Sequence, residues 1–119
     1  MSSFRSLHPL SKRMEESKRI LKKYPDRIPI IVELATQTDL PPLDKYKYLV
    51  PMDITVGQFN YVIRKRIKLE QDKALFMFVN NSLPPTSAMI SDVYSHNKNE
   101  DGFCYFIAAA ESTFGFIHI

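Results

Sequence analysis

Residues 47–67 have the sequence KYLVPMDITVGQFNYVIRKRI, in which a strand pattern gives way to a helix pattern. The run at 47–51 is rich in aromatic and branched residues and predicts a strand, which Pro51 ends because proline lacks a backbone N–H. Thr55 and Gln58 then have the spacing of a capping box, in which each side chain accepts from the other residue's N–H. The stretch therefore predicts a strand followed closely by a capped helix.

The predicted helix has one apolar face and a basic C-terminal end. The face is formed by Phe59, Val62, Ile63 and Ile67. Basic residues at 64–66 and Lys68 suit the negative end of the helix dipole. We therefore expect a helix that packs by its apolar face and presents basic side chains at its end.

Upstream of this stretch, the sequence predicts a helix, a strand and a loop. The helix opens near residues 9–11 and ends at Tyr24, because the residue before a proline resists helical dihedrals. Its apolar stripe is expected to contact the core and consists of Leu7, Leu10, Met14, Leu21 and Tyr24. The β-branched run 28–33 predicts a strand with Pro29 at its start or at a sheet edge, and residues 35–43 predict a loop.

Downstream, two more strands and a short helix are predicted. Residues 75–79 are apolar on both faces and indicate an internal strand. Asn80 and Asn81 favour a turn, residues 88–95 a short helix, and residues 104–108 a last strand. The element order is then α, β, β, α, β, α, β. From the first strand onward, this is the order of the ubiquitin-like, or β-grasp, fold of the α+β class.

Composition indicates one globular domain. The chain has 119 residues, of which 45% are hydrophobic, and no apolar run approaches the roughly 20 residues of a membrane-spanning helix. Cys104 is the single cysteine, so no internal disulfide can form and the reducing cytosol is the expected compartment. Because it falls in a predicted strand, we expect a small buried apolar residue there; a nucleophile is the alternative.

Charge is distributed unevenly along the chain. Residues 1–68 contain 14 Lys or Arg against 7 Asp or Glu, whereas residues 69–119 contain 2 against 6. A basic front half suggests an acidic partner, which could be an acidic peptide, a lipid head group or nucleic acid. The alternative is a solvated helix face with no partner.

No residue pattern indicates catalysis, a metal or a cofactor. Three glycines cannot form a phosphate-binding loop, and three widely spaced histidines with one cysteine do not form a zinc motif. The adjacent acidic pairs at 15–16 and 100–101 are predicted to be surface charge. The chain also has no nucleic-acid-binding motif and a small net charge of +3. We expect neither an enzyme nor a nucleic-acid-binding protein.

Longer motifs extend in order through nearly the whole chain. They are residues 22–29 (KKYPDRIP), 47–51 (KYLVP), 55–59 (TVGQF), 63–67 (IRKRI), 78–81 (FVNN), 84–86 (PPT) and 113–115 (TFG). With these motifs the chain resembles the lipid-conjugated ubiquitin-like proteins of autophagy, which include the GABA-receptor-associated protein and the microtubule-associated light-chain proteins. The resemblance implies a ubiquitin-like β-grasp core with a four-stranded mixed sheet and two extra N-terminal helices.

The resemblance also implies a division of the chain and a covalent fate. Residues 1–27 would be the N-terminal helical extension, 28–111 the ubiquitin-like core, and 112–119 a flexible tail cut after Gly115. A cysteine protease would cut there, activating and conjugating enzymes would carry the glycine carboxylate, and the final bond would be to membrane phosphatidylethanolamine. A glycine suits a narrow enzyme channel because it has no side chain. Taken alone, Gly115 could instead lie in a strand that continues through it.

Members of the family bind short motifs with an aromatic residue, two spacers and an aliphatic residue, by adding a strand to the second strand, 47–50. On the matching positions, the aromatic pocket would comprise Glu16, Ile20, Pro29, Ile31, Lys47, Leu49 and Phe103. The aliphatic pocket would comprise Tyr48, Val50, Pro51, Ile54, Phe59, Val62 and Ile63. The alternative for Phe59, Val62 and Ile63 is a plain core position, which we favour for Ile63.

Basic residues would attract the acidic neighbours of such motifs. They are Arg27, Lys45, Arg64 and Arg66. The chain departs from the family pattern in this region, because residues 36–42 contain no Lys or Arg and Tyr46 replaces an expected lysine. These departures weaken the basic rim and with it the expectation of microtubule binding.

Two functions follow as hypotheses. The first is a modifier conjugated to phosphatidylethanolamine that acts in autophagosome formation and recruits cargo and adaptor proteins, moving from the cytoplasm to the autophagosome membrane. The second is a peptide-binding adaptor in vesicle trafficking or microtubule association that never uses its glycine. Tubulin and the cytoskeleton are a further candidate partner and location. Neither hypothesis involves a cofactor.

Overall fold

A computed structural model describes residues 3–111 of the chain. Its elements are α1 (Phe4–Leu7), α2 (Leu10–Lys23), β1 (Arg27–Leu34), β2 (Lys47–Pro51), α3 (Val56–Arg66), β3 (Phe76–Phe78), α4 (Ile90–Asn97) and β4 (Cys104–Ala109). The predicted order of strands and helices is confirmed, and so are the two helices that precede the first strand. The division of the chain into three segments remains a prediction.

The four strands form one mixed sheet in the order β2-β1-β4-β3. β1 is antiparallel to β2 and parallel to β4, and β3 is antiparallel to β4. The prediction that residues 75–79 form an internal strand is wrong, because β3 lies at the far edge. It is apolar on both faces for another reason: Met77 faces the main core, whereas Phe78 packs with Ala35 and Ala109 on the other face.

Pro29 lies inside the sheet without disturbing it. Val32 donates its N–H to the Tyr46 carbonyl at 2.8 Å, so alternate β1 residues are hydrogen-bonded to β2, and Pro29 falls between them opposite Leu49. Its nitrogen therefore points away from β2, and the ladder with β4 begins only at Ile30. The predicted position near the strand start is confirmed, in a strand that is internal.

The main core lies between the sheet and helices α3 and α4. Its side chains come from alternate positions of β1, β2 and β4, and they include Ile30, Tyr48, Val50 and Phe106. Phe59 of α3 is fully buried, with its ring edge-on to Phe106 at 5.4 Å between centroids. The predicted capping box is present, because Gln58 N–H donates to Thr55 Oγ1 and Thr55 N–H donates to Gln58 Oε1.

The opposite face of the sheet is covered by α1 and α2. The expected apolar stripe of the first long helix is wrong in most of its members, since Leu7 and Tyr24 are exposed and Leu10 is at the surface. α2 instead buries Ser17, flanked by half-buried residues that include Ile20. Spacing alone could not show this, because α2 is held through a small polar residue, Ser17, that packs closely against Asp101 and Gly102 in the turn before β4.

The start of α4 differs from the prediction, whereas the turn at Asn80 and Asn81 agrees with it. α4 begins two residues later than predicted, because Ala88 N–H bonds to the Pro85 carbonyl in a turn and Met89 forms a β-bridge with Thr55. The predicted turn at Asn80 and Asn81 is confirmed. Both have positive φ, 50° and 66°, which asparagine tolerates better than other non-glycine residues.

Candidate functional site

β2 has an open outer edge, because it is the first strand of the sheet order. The ladder with β1 uses the backbone groups of Tyr46, Tyr48 and Val50. The backbone N–H and C=O of Lys47 and Leu49 therefore point away from β1. An added peptide strand pairs with outward-facing residues of this kind, which alternate along the edge strand. The edge has the geometry for β-augmentation.

The residues assigned to the aromatic pocket are brought together on the face of the sheet covered by α1 and α2. Lys47 forms an ion pair with Glu16 of α2, and Leu49 is half-buried beside Pro29 in the register. Pro29, Ile31 and Phe103 are fully buried. The buried sheet residues of this set therefore lie beneath side chains of α1 and α2.

The residues assigned to the aliphatic pocket separate into a buried layer and a surface layer. Tyr48, Val50, Phe59 and Ile63 are core residues, so the core alternative holds for both Phe59 and Ile63. Ile54 is half-buried, Pro51 is exposed, and Val62 is 45% exposed. The core alternative fails for Val62.

The basic residues of the rim are engaged to different degrees. Arg66 pairs with Asp44 at 3.2 Å, and Arg64 donates to the carbonyls of Lys73 and Glu70 at 2.8 and 2.9 Å. Lys45 Nζ lies 5.0 Å from the centroid of the Tyr48 ring, and Arg27 is exposed. These contacts lie at or near the surface, where ion pairs contribute little to stability.

A buried charge cluster that the sequence did not reveal connects α2 to the start of β4. Asp101 was expected at the surface, but its side chain is fully buried. Asp101 Oδ2 accepts from Arg13 Nη1 at 2.5 Å and from the Tyr105 hydroxyl at 2.6 Å, while Oδ1 accepts from Phe103 N–H at 2.8 Å. Ser17 Oγ donates to the Asp101 carbonyl at 2.5 Å. This cluster positions α2, and therefore Glu16, beside β2.

Burial and hydrogen bonding shift the pKa values of this cluster. Burial, together with the hydrogen bond to Asp101, raises the pKa of Tyr105. Burial by itself lowers the pKa of Arg13, but the combined interactions of its guanidinium with Asp101 and Tyr105 outweigh burial and raise the pKa. Both groups keep their protons at neutral pH. The only sequence signal was Asp101 before Gly102, whose φ of 91° marks a tight turn.

Cys104 is buried and its thiol is protonated. Burial raises its pKa from an ordinary value of 9.0 to about 12. The thiol therefore lacks the ionised form that a nucleophile needs, and the expectation of a small buried residue is confirmed. Within residues 3–111, no group of three His, Cys, Asp or Glu side chains is arranged to hold a metal ion. No helix in the same range is long and apolar enough to cross a bilayer.

Comparison with known proteins identifies the family. A family model described as "Autophagy protein Atg8 ubiquitin like" matches residues 12–115. The chain belongs to the Atg8 family. Autophagy-related protein 8c of Arabidopsis thaliana is 60% identical over 116 residues, which is 98% of each chain. Autophagy-related protein 8A of Oryza sativa subsp. indica is 59% identical over 114 residues, or 96% of each chain.

Solved structures of Atg8 proteins have the same fold. Trypanosoma brucei ATG8 superposes with a TM-score of 0.89 at 43% identity, covering 97% of this chain and 99% of that one. Plasmodium falciparum Atg8, solved in complex with a Plasmodium falciparum Atg3 peptide, has a TM-score of 0.87 at 34% identity over 94% and 98% of the two chains. The predicted ubiquitin-like fold is therefore confirmed. Gly115, the predicted conjugation point, lies outside the described residues.

Proposed function

We propose that this Atg8-family chain is a non-enzymatic modifier that is cut after Gly115 and joined through it to phosphatidylethanolamine on the autophagosome membrane. The observation that carries the proposal is the family match, which extends over residues 12–115 and so ends at that glycine. The partners are a processing cysteine protease and the activating and conjugating enzymes of the pathway. A solved Atg8 that binds an Atg3 peptide supports a conjugation enzyme as a partner.

We further propose that the conjugated protein recruits cargo and adaptor proteins by docking aromatic-x-x-aliphatic motifs on the edge of β2. The support is geometric: Lys47 and Leu49 direct their backbone groups outward, and apolar side chains lie on either side of the strand. Main-chain hydrogen bonds would supply affinity, and the two pockets would supply specificity. Exposed Arg27 and Lys45 would attract acidic flanks of the motif.

The conjugation is tested by replacing Gly115 with alanine and measuring the intact mass of the protein recovered from autophagy-induced cells. The normal chain should yield a species that ends at Gly115 and carries one phospholipid. Gly115→Ala should yield no lipid-linked species, because a Cβ obstructs the narrow channels of the processing enzymes. His118→Ala is the matched control, since it changes only the discarded tail, and its lipid-linked form should persist.

The same measurement decides between the two functions. A normal chain that retains Ile119 and carries no lipid would reject the modifier and support an adaptor that acts without conjugation. Lipid attached to Gly115→Ala would also contradict the assignment of this glycine.

A further inference from the structure

The aromatic end of the candidate groove already contains an aromatic side chain of the chain itself, Phe4. Its side chain is 5% exposed, and its ring stands edge-on to Phe103 at 5.4 Å between centroids. Phe4 forms one buried cluster with Ile31, Phe103 and Tyr105, and Ile20 packs against that cluster. Ile20, Ile31 and Phe103 are all residues assigned to the aromatic pocket. The Phe4 ring therefore takes up space beside residues that the ring of a docking motif would also contact.

Contacts from both sides of the groove hold Phe4 in this position. Its backbone N–H donates to Glu33 Oε2 at 2.8 Å. Lys47, the β2 residue that a peptide would pair with, places Nζ 5.5 Å from the centroid of the Phe4 ring and at the same time pairs with Glu16. β2, α1 and α2 thus meet around one phenyl ring.

The attachment of α1 is weak enough to be reversible. The helix has four residues, and Phe4 is its only buried residue. Leu7, at its other end, is 63% exposed, and the helix begins with a capping box between Ser3 and Ser6. Helices this short do not persist without tertiary contacts. Besides the Phe4 ring, two short-range contacts tie α1 to the sheet: the hydrogen bond from Phe4 N–H to Glu33, and the Arg5 guanidinium 4.5 Å from the centroid of the Tyr105 ring. Loss of these few contacts frees the segment.

We propose that Phe4 is an intramolecular competitor for the aromatic pocket, and that α1 is an autoinhibitory strap which must leave the pocket before a motif can insert its aromatic residue. The inference rests on the proposed docking function and adds a regulation to it. The apparent affinity for a motif is then reduced by the fraction of molecules in which the pocket is free. Any change that loosens α1 without altering the pocket should tighten binding.

The test is isothermal titration calorimetry of the full chain with two synthetic peptides. One contains an acidic stretch followed by Trp-x-x-Leu, and the other has alanine in place of the tryptophan. Phe4→Ala should bind the tryptophan peptide about three- to tenfold more tightly than the normal chain, for a pocket that is free in about a tenth to a third of molecules. It should gain nothing with the alanine peptide, which has no ring to insert.

Two further variants test the strap even if Phe4→Ala fails to fold. Ser3→Ala removes the capping side chain of α1 and leaves the ring and every charge in place, so its affinity should also increase, by a smaller factor. Leu7→Ala is the matched control in the same helix, and its affinity should equal that of the normal chain. Thermal unfolding of each variant confirms that it is folded.

A weakened affinity of folded Phe4→Ala for the tryptophan peptide would overturn the strap, because Phe4 would then be a wall of the pocket. An unchanged affinity would overturn it too, because Phe4 would then not compete with the motif. A failure of the docking function gives a different result. In that case the normal chain binds neither peptide, and a Leu49→Glu substitution on β2 cannot weaken binding further. If Leu49→Glu abolishes binding and Phe4→Ala leaves it unchanged, the docking site is supported and the strap is rejected.

Discussion

At the scale of single residues, the chain depends on one buried carboxylate. Asp101 is surrounded by three donors, from Arg13, Tyr105 and the Phe103 backbone, so its charge is compensated without water. Gly102 beside it adopts a positive φ and lies so close to Ser17 that a Cβ would collide with that side chain. Asp101 and Gly102 therefore both determine how α2 packs: Asp101 needs its three donors, and Gly102 leaves the space that a Cβ would take from Ser17.

Replacing Asp101 with alanine should destabilise the protein by about 3–5 kcal/mol, because Arg13 and Tyr105 would lose their shared partner inside the protein. Chemical denaturation monitored by circular dichroism measures the loss. The matched control is Asp44→Ala, which breaks the exposed pair with Arg66 and should cost no more than about 1 kcal/mol. Equal losses in the two variants would contradict the importance assigned to burial.

Cys104 makes stability depend on pH in the alkaline range. Its folded pKa of about 12 lies above the ordinary value of 9.0, so the unfolded thiol loses its proton first as pH increases. The resulting stabilisation is complete below about pH 9 and declines between pH 9 and 12. Unfolding midpoints from pH 8.5 to 10.5 should therefore fall more steeply for the normal chain than for Cys104→Ala. Parallel curves for the two proteins would reject this.

At the scale of elements, the strand β2 combines two roles. Tyr48 and Val50 face the main core and hold the strand to β1, whereas Lys47 and Leu49 present backbone groups to the open edge. Alternation along a strand assigns neighbouring residues to opposite faces, so mutations at successive positions should affect different properties. We therefore expect substitutions at Tyr48 and Val50 to affect mainly stability, and substitutions at Lys47 and Leu49 to affect mainly the proposed docking.

Leu49→Glu should weaken binding of the tryptophan peptide at least about tenfold, because a charge would have to be desolvated beside the peptide's aromatic residue and would repel its acidic flank. Calorimetry provides the measurement. Leu83→Glu is the control, since it makes the same change at a surface leucine, 45% exposed, that lies in the connection between β3 and α4. Equal affinities of the two variants would reject β2 as the docking edge.

At the scale of the whole molecule, the sheet is covered on both faces, by α3 and α4 on one and by α1 and α2 on the other. The pair α1 and α2 is an integral part of the packed structure. It buries Ile31 and Phe103 completely and supplies Arg13 as the partner of Asp101. The N-terminal helices therefore contribute to stability as well as to the groove.

Deleting residues 1–23 should lower the stability by at least about 3 kcal/mol, because the deletion exposes apolar side chains and leaves Asp101 without its cation. Differential scanning calorimetry would show a lower transition temperature, and binding of a hydrophobic dye would report the uncovered face. Deleting residues 1–3 alone is the control and should preserve most of the stability. An undiminished transition temperature in the longer deletion would contradict a structural role for the helices.

Local patterns were sufficient to predict several elements of the fold. The capping box at Thr55, the end of β2 at Pro51 and the turn at Asn80 depend on neighbours a few residues away, and all three were predicted. The ubiquitin-like fold was recognisable only through the succession of elements along the chain. Family motifs, and not local chemistry, pointed to Gly115 and to the groove.

The sequence by itself therefore determined the elements, their order and the family, because short-range hydrogen bonds and side-chain periodicity are encoded by adjacent residues. Only the tertiary structure showed that β3 lies at an edge, that Asp101 is buried and that Phe4 is buried against Ile31 and Phe103. Each of these depends on contacts between residues far apart in the chain, such as Arg13 with Asp101 and Phe4 with Glu33. No local pattern specifies which distant side chain will supply a missing partner.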